Sequence, residues 1–289
     1  MAERYFACTQ CGQCCNRAPE LELGEAAELA DVFVLQLLMR IYSLPRSVSD
    51  YLTPDQPRDQ TSIAFYQTKR LLTAFAASSW PAKVRRDSRA VEYTQYLSLS
   101  VLPLDLGTGA CTALAGTRCS IYARRPLSCR TVPLHYSRAD AYAARDLDAF
   151  VATPGYACTT GDDAPLVIAG NSIIDPAMSN ARAEAAVRAQ ADRRWKAAVV
   201  KAMKAGEHDL PSPRLVEANA ASGALSAPML AAWQVAAANG LLTGDTCRAL
   251  IKTQLATITR RLEQSGLPLD TGQTLLEMQR SYAEWLAAS

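Results

Sequence analysis

Histidine is almost missing from this chain, with two in 289 residues. There is no G-x-S-x-G sequence either, so little scope remains for the usual hydrolase triads. No apolar run approaches the roughly 20 residues that span a bilayer, and no membrane partner is expected. An excess of one charge is also lacking. Thirty Lys and Arg stand against 28 Asp and Glu, a net +2, which gives no electrostatic reason to expect nucleic acid as a partner. The first residues, Met1-Ala2-Glu3-Arg4-Tyr5-Phe6, carry no apolar signal stretch before the first cysteine.

What the chain does have is cysteine, nine in all. Four fall within eight residues, in Cys8-Thr9-Gln10-Cys11-Gly12-Gln13-Cys14-Cys15. A second block holds Cys111, Cys119 and Cys129, followed by Cys158 in the turn-rich segment Pro154-Gly155-Tyr156-Ala157-Cys158. A chain of this length does not need disulfides to fold, and paired Cys14 and Cys15 suit metal ligation better than a stapled loop. A reducing, cytoplasmic setting is the expectation.

A buried thiolate is costly alone, and grouping several around a soft metal removes that cost while adding folding energy. The spacing C-x2-C-x2-C at Cys8, Cys11 and Cys14 is that by which one loop wraps three corners of a [4Fe–4S] cube. Gly12 permits a tight turn between ligands. Cys15 cannot easily face the same centre as Cys14, so it is free for a second one. Eight cysteines (Cys8, Cys11, Cys14, Cys15, Cys111, Cys119, Cys129 and Cys158) suffice for two four-cysteine sites of iron–sulfur or zinc type. Cys247, alone in an amphipathic helix, reads as a small buried hydrophobe. Arg130, beside Cys129, is placed to balance negative charge around a cluster. His135, six residues further on, is a candidate ligand or proton carrier with a plain hydrogen-bonded role as the default. His208 belongs on the surface. No catalytic residue is identified.

The fold expected is α+β: a small cysteine-rich core with short strands over 1–170, a helical insertion at about 47–90, and an all-helical extension over 171–289. Residues 1–20 read as a ligand-bearing loop. Apolar spacing at Ala26, Leu29, Ala30, Phe33, Leu37 and Ile41 predicts a helix from Gly24 to Tyr42. Pro54 and Pro57 mark a loop. A second helix is expected over Ser62–Ser78, with Ile63, Tyr66, Leu71 and Phe75 inward, ended by Trp80-Pro81. Lys83, Arg85, Arg86 and Arg89 form a basic run, a solvated surface by default and otherwise a docking face. Alternation from Glu92 to Leu104 predicts a strand with Tyr93, Gln95, Leu97, Leu99 and Val101 on one face. A short strand is expected at Cys119–Tyr122. Asp175-Pro176 signals a helix start and Gly206 its stop. Further helices are expected at 228–239, 245–265 and 271–286.

The run Cys8-x2-Cys11-Gly12-x-Cys14-Cys15, with Glu25, Cys111, Cys119-Ser-Ile-Tyr122, Arg125-Pro126-x2-Cys129-Arg130 and Pro133, resembles the YkgJ-type cysteine-cluster family. That resemblance, over roughly 5–45 and 95–160, implies a zinc- or iron-chelating domain. The layout is also similar to flagellin lysine N-methylases, which would imply an iron–sulfur centre and S-adenosylmethionine. Against this, the chain has no Gly-rich nucleotide loop after a strand and no C-x3-C-x2-C spacing. Three functions follow as alternatives: a metal- or cluster-binding protein, a methyltransferase acting on a protein, and an electron-transfer or metal-delivery protein. A protein partner or protein substrate would meet the helical region.

Overall fold

The computed structural model describes residues 3–51, 58–86, 89–219 and 224–288. It is about 49% helix and 20% strand with several sheets, a mixed α+β architecture with a helical C-terminal region. The elements run β1 (Glu3–Tyr5), α1 (Leu23–Glu28), β2 (Leu35–Pro45), α2 (Val48–Tyr51), α3 (Arg58–Phe75), β3 (Ser78–Arg86) and β4 (Arg89–Pro103). Then come β5 (Leu114–Ala115), β6 (Arg118–Cys119), α4 (Leu127–Arg130), α5 (Ala143–Val151), β7 (Leu166–Ala169) and β8 (Ser172–Ile173). The chain ends with α6 (Pro176–Ala205), α7 (Pro213–Ala218), β9 (Leu225–Pro228), α8 (Met229–Ala238), α9 (Gly244–Leu262) and α10 (Leu269–Ala288). Among the described residues three sheets form, ordered β1-β7-β8, β3-β4-β2-β9 and β5-β6. Among the described residues no helix is long and apolar enough to cross a membrane.

Two compact units share the chain, and neither is continuous. One takes residues 1–36, 101–192 and 244–289, the other 37–100 and 193–243. The division expected at residue 170 therefore falls inside the first unit. All eight clustered cysteines lie in that unit.

Two clusters of buried residues in the first unit position the cysteine segments. Phe6, Leu134, Leu147, Val167, Ile168 and Met178 pack together beneath β1 and β7. Leu127 packs on Ala181 and Ala185, which stand one helical turn apart on α6. Alanine there lets the backbones of α4 and α6 approach closely, which accounts for part of the alanine richness of α6. Asp175 starts α6 as its sequence position predicts, its Oδ1 accepting the Met178 N–H at 2.6 Å. Gly206, at φ 69°, follows its end.

The helix expected over 24–42 is cut short. Only α1 forms, closed at its start by a reciprocal capping box between Glu22 and Glu25. From Leu35 the chain is a strand, with Leu35, Leu37 and Met39 fully buried and their neighbours half-buried. Leucine favours helix intrinsically, but burial of alternate residues in a sheet outweighs a propensity worth tenths of a kcal/mol. The bend between α1 and β2 is held by Gln254 of α9. It donates to the carbonyls of Ala30 and Phe33, both at 2.6 Å, and accepts the Leu35 N–H at 2.9 Å.

In the second unit α3 begins earlier than expected and turns a different face inward. Phe65 is buried with Leu44 and Tyr96, whereas Ile63 and Tyr66 are 54% and 61% exposed. Trp80-Pro81 does not merely end that helix. It lies within β3, which pairs antiparallel with β4 along its whole length. The insertion is thus a helix plus a hairpin. Pro54 and Pro57 lie outside the described residues. Within the basic run, Lys83 pairs with Glu92 at 3.3 Å and Arg89 with Asp50 at 3.0 Å. β4 follows its predicted alternation, burying Gln95, Leu97, Leu99 and Val101. Among the described residues two short strands, β8 and β9, lie within the stretch after residue 171.

Candidate metal centre

The first cysteine block is seated by an extension of the β1–β7 pairing. Past β1, Phe6 donates to the Pro165 carbonyl at 3.0 Å, and Ala7 and Thr159 exchange two backbone hydrogen bonds at 2.9 and 3.1 Å. An antiparallel bridge at Ala7 and Thr159 makes Cys8 and Cys158 cross-strand neighbours. The Thr9 hydroxyl adds a bond to the Ala157 carbonyl at 2.8 Å. The chain then turns at Gly12, which has φ 76°. A short 3-10 turn over Gln13–Cys15 follows, with the Cys15 N–H donating to the Gly12 carbonyl at 2.9 Å. A Cβ on Gly12 would lie 2.5 Å from the Thr117 carbonyl oxygen, so the loop rests directly against the β5–β6 turn.

The second block is assembled on Cys15. Its carbonyl accepts the Cys111 N–H at 2.8 Å, and the Cys111 carbonyl accepts the Leu114 N–H at 2.9 Å. The two-residue strands β5 and β6 pair Leu114 with Cys119, which returns Cys119 toward Cys111. Cys119–Tyr122 is therefore only the end of a strand, followed by a 3-10 turn at Tyr122–Arg124. Cys129 sits on the single turn of α4. The first N–H of that turn, on Leu127, is taken by the buried Glu25 carboxylate at 2.5 Å. The other Glu25 oxygen accepts the Glu22 N–H at 3.3 Å.

The mutual influence of the thiols divides them into two groups. Burial, and then the neighbouring Cys11, Cys8 and Cys14, push the Cys158 thiol up to about 11. Burial and the charges of Cys8 and Cys11 also raise Cys14. In the second group, burial pushes both Cys15 and Cys129 up to about 12. Cys15 further feels Cys14, Cys111, Cys129 and Cys119, and Cys129 feels Cys111 and Cys119. Cys111 is raised by burial and by Cys119. Cys11 departs from this pattern: backbone N–H donors, Gln13 first and then Ala157, lower it by favouring its thiolate. Cys8, Cys11 and Cys14 thus bear on Cys158, and Cys111, Cys119 and Cys129 bear on Cys15, while Cys14 and Cys15 also act on each other. Cys247 is 2% exposed and raised by burial alone, as expected of a structural thiol.

Among the described residues, no group of three or more His, Cys, Asp or Glu side chains is arranged as a ready metal site. The fit rests on donor chemistry. Several thiols brought close together are a set that a soft cation stabilises as thiolates.

The Arg130 guanidinium donates to Glu184 of α6 at 3.1 Å. The cation that favours the Cys129 thiolate is Arg125, held over the Tyr122 ring with its guanidinium carbon 3.8 Å from the centroid. His135 Nδ1 bonds the Ser137 hydroxyl at 2.7 Å, and its ring tilts over Tyr136 with centroids 4.5 Å apart. Burial holds its pKa below the ordinary value. That is the plain hydrogen-bonded role. Glu25 was legible as part of a motif, but its reach to Leu127 was not. A cleft of about 230 Å³, lined by Asn16, Arg17, Asp105, Gly109, Ala110 and Thr112 among others, opens beside Cys15 and Cys111.

No curated protein and no solved structure matches this chain. The matched family range begins within α3 and ends at Cys158, so it takes in Cys111, Cys119 and Cys129 but not the Cys8–Cys15 run. Residues 59–158 are similar to the model of the CxxCxxCC family, described as a "putative zinc- or iron-chelating domain".

Proposed function

We propose that this chain is a metal- or cluster-binding protein with two four-thiolate centres. Cys8, Cys11, Cys14 and Cys158 hold the first, and Cys15, Cys111, Cys119 and Cys129 the second. The observation that carries this reading is the backbone pairing that sets Cys158 beside Cys8 and ties Cys111, with Cys119 close by, to Cys15. The C-x2-C-x2-C spacing favours an iron–sulfur cube at the first centre, and the dispersed thiols of the second suit a cluster or zinc equally. Bound there, iron–sulfur would supply electron transfer, and zinc a rigid crosslink. The chain's own part is to hold the thiols together, with Gly12 allowing the loop to turn and Glu25 fixing the α4 turn. Thiols kept for metal imply a reducing compartment, hence a cytoplasmic protein. A protein partner on the helical region has support from Leu269 and Leu276, seven residues apart on α10 and 76% and 53% exposed.

Anaerobic purification followed by assay of iron, acid-labile sulfide and zinc tests the reading. Two metal centres per chain are expected, either brown with matched iron and sulfide or colourless with zinc. A protein that arrives metal-free, and takes up neither when reconstituted, overturns it.

A further inference from the structure

The two quartets are held by very different scaffolds. In the first, Cys8, Cys11 and Cys14 share one loop of seven residues, and Cys8 is exposed. That loop meets Cys158 through the Ala7–Thr159 bridge and the Thr9 hydroxyl bond, at a point where the described pairing ends. Three hydrogen bonds hold this junction, and Cys158 packs at the edge of the Phe6 cluster without lying inside it.

In the second, the ligands come from four separate places, each tied to another. Cys15 is bonded through its carbonyl to Cys111. Cys119 is paired on the β5–β6 ladder, and the Ser120 N–H and hydroxyl both bond the Ala113 carbonyl, at 2.9 and 2.7 Å. Cys129 rides on α4, which Glu25 anchors from α1 and which Ala181 and Ala185 support from α6. α1 is held in turn by Asp192, whose carboxylate takes the Leu23 N–H at 2.6 Å. Opening this quartet would require α1, α4 and α6 to part. Local openings of a margin cost far less than openings that involve a packed core.

Resting on the two-centre reading above, we infer that the centres have different duties. The Cys8/Cys11/Cys14/Cys158 centre is the exchangeable one, able to release its metal to a soft, thiol-bearing acceptor or to a chelator while the fold stays intact. The Cys15/Cys111/Cys119/Cys129 centre is a permanent crosslink that joins the N-terminal loop to α4. Placed side by side along one backbone, they make a delivery site braced by a structural one.

The test uses the full chain reconstituted with zinc and challenged with the chromogenic chelator 4-(2-pyridylazo)resorcinol. Circular dichroism is followed in parallel. Two release phases of equal amplitude are expected, the first faster by roughly tenfold or more, with the circular dichroism signal lost only in the second. Cys158→Ser should abolish the fast phase and leave one zinc and the thermal midpoint little changed. Cys8→Ser should do the same, so the outcome does not depend on one variant folding. Release of both ions at one rate, or loss of the slow phase in Cys158→Ser, overturns the inference while leaving two centres standing. Failure to bind zinc or to accept an iron–sulfur cluster overturns instead the two-centre reading itself.

Discussion

Glu25 and Leu127 meet across 102 residues of sequence, the buried carboxylate of one accepting the backbone N–H of the other at 2.5 Å. This single contact couples α1, just after the first cysteine block, to the helical turn that carries Cys129. Glu25 also closes the start of its own helix through Glu22, so one side chain satisfies two backbone donors.

Replacing Glu25 tests that coupling. Glu25→Ala leaves two backbone N–H groups without their acceptor and should cost about 2–4 kcal/mol in urea unfolding. Glu25→Gln keeps one acceptor and should cost roughly half as much. Burial raises the Glu25 carboxyl above its ordinary value. A raised folded pKa means the native state holds the proton more firmly than the unfolded one. Its contribution is therefore full below the unfolded value of about 4.3 and is lost as pH rises through the folded value. Glu25→Gln should remove that slope from the difference in stability between the two proteins. An unchanged slope would show that another group is responsible.

His135 should give the opposite dependence. Burial, helped by Arg138, Arg182 and Arg17 and opposed by Glu22, holds its pKa below the ordinary 6.5. The unfolded chain takes the proton first, so this contribution is present above 6.5 and is lost as pH falls through the folded value. Unfolding at pH 7.5 and 5.5 (roughly one unit either side of 6.5) should show a loss on acidification that is smaller in His135→Asn. Equal losses in both proteins would remove His135 from the account.

Gln254 is fully buried, and its three hydrogen bonds hold the bend between α1 and β2. Gln254→Leu fills much of the same volume but strands the Phe33 carbonyl and the Leu35 N–H, while Ala30 keeps the Thr257 hydroxyl, and should destabilise by about 3 kcal/mol or more. Gln254→Ala should cost at least as much. A Leu variant as stable as the parent, measured by chemical denaturation, would mean that packing rather than hydrogen bonding sets the bend.

Gly12→Ala should disturb both quartets at once. Its positive φ alone costs an L-residue about 1–2 kcal/mol. Its new methyl group would in addition meet the Thr117 carbonyl oxygen at 2.5 Å. Metal content per chain should fall at both centres, whereas Cys11→Ser should empty only the first. Full metal content in Cys11→Ser would show that Cys11 is not a ligand.

Much of the candidate site was readable without coordinates because ligand spacing within one loop is a local property. The C-x2-C-x2-C spacing of Cys8, Cys11 and Cys14 and the turn at Gly12 follow from chain geometry over a few residues. The start of α6 at Asp175-Pro176 and the alternation of β4 were legible for the same reason. Cys247 could be set aside because it stood alone on an apolar helix face. Gln254 left a faint signal, a polar residue in line with Leu250 and Ile258 on the buried stripe of α9.

Other features depended on which segments meet. Leu35–Pro45 carries apolar residues compatible with a helix or a strand, and pairing with β4 and β9 decided for the strand. The face of α3 that turned inward was chosen by its neighbours, so Phe65 is buried and Tyr66 is not. Arg130 and Arg125 both flank Cys129 in sequence, yet Glu184 captures the first and the Tyr122 ring orients the second. By itself the sequence determined the donor chemistry: eight soft ligands, two blocks and a break between Cys14 and Cys15. Only tertiary structure decided that Cys158 lies beside Cys8 and that Cys111 is bonded to Cys15. Those placements depend on contacts between segments about a hundred residues or more apart, such as the Ala7–Thr159 backbone pair and the Glu25 carboxylate on the Leu127 N–H, and no local preference encodes them.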